Sequence, residues 1–92
     1  MDKKIKQKIS FDNMDILLLL DENKVFANNV VAVNSNGDII WKINDILKIE
    51  QPCGNSVIKK TDERTLCVIS TIGVLYEIDI ENRIIIKTTC LG

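Results

Sequence analysis

The sequence predicts an all-β chain built as two small antiparallel sheets, with at most one short helical turn. Three observations carry this. First, β-branched residues make up 28 of the 92, sixteen of them isoleucine, while alanine occurs only twice. Such side chains suit a pleated strand and lose rotamer freedom in a helix. Second, turn-forming residues punctuate the chain so closely that only short elements fit between them. Third, the chain matches itself at a spacing of 45 residues. The length suits one domain with one modest core.

Taken in order, Lys3–Phe11 alternates, with Ile5, Ile9 and Phe11 on one side and Lys4, Lys6, Lys8 and Ser10 on the other. That pattern predicts an edge strand whose wet face is guarded by lysines. Met14–Leu20 is apolar on both faces, which predicts a strand covered from both sides. Asn29–Asn34 and Asp38–Ile43 flank Asn36-Gly37, a dipeptide that tolerates positive φ and predicts a two-residue hairpin. Asn44–Ser56, with Pro52 and Gly54, is the longest connection. Within it, Asp45 is placed to cap one helical turn that packs Ile46, Leu47 and Ile49 inward. Val57–Thr61, Thr65–Thr71, Val74–Ile80 and Arg83–Cys90 complete the strands, broken by Asp62-Glu63, Gly73 and Glu81-Asn82.

A shift of 45 places Val31 on Tyr76, Asn34 on Asp79, Ile39 on Ile84, Ile40 on Ile85, Trp41 on Ile86 and Lys42 on Lys87. Upstream, Leu17–Leu20 falls on Cys67–Ser70 when five extra residues are allowed in the first copy. Each copy is then a four-stranded unit, and a repeat of this length with four strands is the mark of a β-propeller blade. The chain divides into a first repeat at about 3–43, a connection at 44–56 and a second repeat at about 57–90, within a single domain.

Val30–Ile43, VVAVNSNGDIIWKI, resembles the blade motif of quinoprotein-type propellers, and Val74–Thr88, VLYEIDIENRIIIKT, is similar with Ile86 for the tryptophan and Asn82 for the turn glycine. Two blades do not close a ring. As a whole the chain resembles small bacterial immunity proteins of toxin–immunity systems (contact-dependent growth inhibition and other polymorphic toxins) with half-β-propeller architecture. The resemblance implies a protein that binds and neutralises a cognate toxin.

The chemistry of the sequence favours binding over catalysis. There is no histidine, and hence no imidazole base, catalytic triad or ordinary zinc site. Cys53, Cys67 and Cys90 match no zinc spacing and are expected as reduced thiols, with Cys67 a core residue. Asn34–Asp38 carries its glycine too early for a calcium loop and reads as a turn. No phosphate-binding loop is present, so no cofactor and no metal are expected. Glu77 and Asp79 alternate with Ile78 and Ile80, as on a solvated sheet face. The lysines at residues 1–10 lack aromatic neighbours on which bases would stack, which argues against nucleic acid. No run approaches the length of a membrane helix and no leader pattern opens the chain, so a cytoplasmic location is expected.

The overall charge is −1, but residues 11–50 hold seven acids against three bases. An acidic half suits a basic partner, such as a nuclease active site. The expected partner contacts are Asp21, Glu22, Asn44, Asp45 and Glu50, in the acidic half and the long connection, together with Trp41. Trp41 has a second reading as a core residue packed between sheets. The alternative function is a half-propeller that assembles with itself, as a homodimer, because Ile84–Ile86 is apolar on both faces and wants cover.

Overall fold

The computed structural model describes residues 4–20, 29–47 and 54–91. They form eight strands and one short helix: β1 (Lys4–Ser10), β2 (Asp15–Leu20), β3 (Val30–Val33), β4 (Ile39–Lys42), α1 (Ile43–Leu47), β5 (Asn55–Asp62), β6 (Thr65–Ser70), β7 (Val74–Asp79) and β8 (Ile84–Cys90). Two four-stranded antiparallel meanders result, ordered β1-β2-β3-β4 and β5-β6-β7-β8. The expected all-β, two-sheet architecture is what forms. The repeat is visible in it: β2 displaced by fifty residues is β6, and β4 displaced by 45 falls on Ile84–Lys87 of β8.

One core lies between the sheets. Ile16 opposite Ala32 and Trp41, and Leu18 opposite Val30, face it from the first sheet. Ile58, Leu66, Val68, Tyr76 and Ile78 face it from the second. Burial of each fully enclosed Ile or Leu removes enough apolar area to contribute roughly 1.5–3 kcal/mol. α1 closes the space between the outer strands, touching β4 and β8 and burying Ile43, Ile46 and Leu47. Asp45 is the third residue of this helix, and its Oδ2 reaches back to accept the Lys42 N–H at 3.1 Å. It therefore braces the first turn from inside, as the acid of a capping box does, where the sequence suggested the cap itself.

The inner edges β1 and β5 are joined by side chains in place of a ladder. Gln7 Oε1 accepts the Ile58 N–H at 2.8 Å, the Lys6 ammonium donates to the Ser56 carbonyl at 3.2 Å, and Lys60 donates to the Ser10 carbonyl at 3.3 Å. Lys60 also lies 5.0 Å from the centroid of the Phe11 ring. β1 is indeed an edge strand, but its alternation is broken by a bulge between Ile5 and Gln7. The bulge turns Ile5 outward, opposite Leu19, while Ile9 and Phe11 remain on the core side. Ile5, expected inside, is exposed.

The turns also differ from the two-residue form expected at Asn36-Gly37. Asn34 N–H donates to the Asp38 carbonyl and Gly37 N–H to the Asn34 carbonyl, so three residues span the hairpin. Only Gly37 is left-handed, at φ 86°, which gives a tight turn closed by a glycine bulge. In the second repeat the left-handed position falls on Arg83, at φ 56°, and not on Asn82. Asn34 and Asp79, 45 residues apart, do the same work: each side-chain oxygen accepts two N–H groups of its own turn.

Candidate functional site

Strand direction sorts the loops to two ends. One end carries the exits of β2 and β4, the entries of β3 and β5, helix α1 and the β6–β7 turn. Of the contacts expected from the sequence, three lie at this end. Trp41, Asn44 and Asp45 are brought together at the β4–α1 junction, whereas Asp21, Glu22 and Glu50 lie outside the described residues. Asp45 is exposed and Asn44 half-buried. Trp41 is only 3% exposed and sits in the core opposite Ala32, so it packs between the sheets and is not an accessible anchor. Its indole N–H finds no hydrogen-bond acceptor among the described residues.

The opposite end carries the four remaining turns: Phe11–Met14, Asn34–Asp38, Glu63–Arg64 and Ile80–Arg83. The first is closed by the Phe11 N–H donating to the Met14 carbonyl at 2.8 Å. Two depressions meet at it. One, of about 310 Å³, runs between this turn and Glu63, Arg64, Ile80 and Glu81. The other, of about 260 Å³, runs between it and Asn34 and Ser35.

Carboxylates dominate this end. Asp12, Asp15 and Asp38 come from the first repeat, and Asp62, Glu63, Asp79 and Glu81 from the second. Arg64 binds Glu81 at 2.8 Å and Asp79 at 3.5 Å, Lys8 lies 3.6 Å from Asp15, and Lys60 lies 3.6 Å from Glu63. Asp12 and Asp38 have no ion-pair partner among the described residues. The Arg64 N–H, then the Thr65 side chain, hold the Asp62 carboxyl below its ordinary value. The Asn82 N–H does the same for Asp79, helped by the Asn82 side chain and the Glu81 N–H. Both carboxyls therefore keep their charge into acid.

Sequence arithmetic missed this grouping. The second repeat is neutral as a sum, but four of its five acids stand at or beside turns, while Lys59 and Lys87 project mid-strand beside Cys67 and Glu77 on the outer face. Cys67 is buried, and desolvation pushes its thiol up, with the Glu77 carboxylate adding to the effect, so it stays protonated. Among the described residues, no group of three or more Cys, Asp or Glu is placed to hold a metal ion, and no helix is long and apolar enough to cross a membrane. Compared with protein-family models, with curated proteins and with solved structures, the chain finds no match in any of the three.

Proposed function

We propose that this chain is an immunity-type inhibitor, which binds a cognate bacterial toxin in the cytoplasm and neutralises it by protein–protein contact. The observation that carries the reading is the acidic hairpin end, where seven carboxylates gather and four of them, Asp12, Asp15, Glu63 and Glu81, line two adjoining depressions. A concave and negatively charged surface complements a basic one, such as the phosphate-binding cleft of a nuclease. Inhibition of this kind asks nothing of the chain beyond shape and charge. Asp12, Asp38 and Glu63 are the contacts this geometry favours, since all three are exposed at the rims of the turns.

The direct test is co-expression with the reading frame immediately upstream of the gene. Growth is expected to be arrested by that frame alone and restored by this chain. Reversing Asp12, Asp38 and Glu63 to lysine together should slow association, and added salt should slow the wild type in the same way. The reading fails if the upstream product is harmless, or if it kills equally with and without this chain.

A further inference from the structure

We infer that the depression between the Phe11–Met14, Glu63–Arg64 and Ile80–Arg83 turns is a socket for one arginine side chain of the protein partner. This deepens the inhibitor reading and rests on it. Its volume, about 310 Å³, stands at the small end of the roughly 300–1,000 Å³ of ligand pockets, which suits one long side chain. The lining has two parts. Phe11 and Ile80 belong to the core and are only 7% and 6% exposed, so the little surface they show forms an apolar floor, with half-buried Met14 beside it. Asp12, Glu63 and Glu81 are exposed and stand around that floor, one from each of the three turns. An apolar floor under an acidic rim matches a side chain that is apolar along its stem and positive at its tip.

The chain's own cations show what these groups hold. The Lys60 ammonium lies 5.0 Å from the centroid of the Phe11 ring and 3.6 Å from Glu63, and it donates to the Ser10 carbonyl at 3.3 Å. Arg64, itself part of the lining, binds Glu81 at 2.8 Å and Asp79 at 3.5 Å. These two cations do not use up the charge. Three carboxylates line the depression against one guanidinium, and Asp12 has no ion-pair partner among the described residues. The carboxylates come from separate turns, which favours a guanidinium as the occupant. Its five N–H donors form a planar fork that can address more than one carboxylate, and its face stacks on an aromatic ring, whereas an ammonium is a compact point charge. Arginine seated in a pocket is also a recurrent anchor of protein interfaces.

The test is an NMR titration of the chain's backbone amides with the capped peptide acetyl-Gly-Arg-Gly-amide. Its citrulline counterpart, which keeps the shape and loses the charge, and its lysine counterpart are run beside it. Saturable shifts are expected with the arginine peptide at Asp12, Asn13, Arg64 and Glu81, weaker binding with lysine, and none with citrulline. Asp12→Asn and Glu63→Gln should each weaken binding roughly two- to fivefold, as loss of a partly exposed ion pair does. Asp38→Asn, at an acid of the same end that lines neither depression, should leave it unchanged. All three positions are exposed, so the variants should keep the wild-type amide spectrum elsewhere. Equal shifts with the arginine and citrulline peptides overturn the proposal. So does a loss in Asp38→Asn as large as that in Asp12→Asn, which would mean diffuse attraction without a socket. If co-expression protects the cell but the arginine peptide does not bind, the socket falls and the inhibitor reading stands. If the peptide binds at these amides and the upstream product is harmless, the socket stands and the toxin reading falls.

Discussion

Asn29 makes four hydrogen bonds with one amide. Its Nδ2 donates to the Leu19 and Asn55 carbonyls, and its Oδ1 accepts the Asn55 N–H and Nδ2, each at 3.0 Å. The pair is buried and ties the entry of β5 to the first sheet. Replacing Asn29 with alanine leaves buried backbone groups of Asn55 without partners, a change expected to cost on the order of 3 kcal/mol. A shift below about 0.5 kcal/mol in urea titrations would show that the pair carries no such burden. Nothing in the sequence marks Asn29 for this, since an asparagine before a strand reads as turn chemistry. Trp41 is the opposite case, legible as core from its place in the repeat. Trp41→Ala should cost roughly 3–5 kcal/mol through lost transfer energy and the cavity left behind. An unchanged unfolding midpoint would contradict its place between the sheets.

At the scale of elements, all eight strands were visible as alternation cut by turn residues, because period and punctuation are local properties. The departures are small: β5 starts at Asn55, inside the stretch expected as connection, and runs through Asp62, expected as a break. An extra residue in β1 reverses Ile5, and a three-residue loop replaces the two-residue turn at Asn36-Gly37. Each depends on how a partner strand is met, which the strand's own sequence does not state. The acidic turns carry a pH signature. The folded-state carboxyls of Asp62 and Asp79 lie below the ordinary value of 3.8. Their contribution is therefore complete above that value and is lost as pH falls through the lower folded-state ones. Wild-type stability should decline below about pH 4, and the Asp62→Asn, Asp79→Asn double variant should decline less steeply. Parallel acid profiles for the two proteins would remove these turns from the account.

At the scale of the molecule, the 45-residue repeat announced two sheets but not their burial. Trp41 is enclosed while Ile86, its counterpart, is 57% exposed. The difference lies in the bulge each edge strand carries: in β4 the extra residue is Ile40 and Trp41 stays opposite core-facing Ala32, whereas in β8 the extra residue is Ile86 itself and Ile85 stands opposite Ile78. The candidate site also depends on the fold, since Asp62 and Glu63 meet Asp79 and Glu81, far along the second repeat, at one end only once its strands are antiparallel. The central claim is that these two meanders are one cooperative unit around a shared core, held at the inner edges by Gln7 and the Asn29–Asn55 pair. Urea unfolding read by two signals tests it most directly. Trp41 emission, from the sole tryptophan, reports on the first sheet, and far-ultraviolet circular dichroism reports on both. Coincident transitions with one midpoint are expected. A tryptophan transition separated from a later loss of β signal would contradict the claim, because it would mean that the second sheet stands without the first.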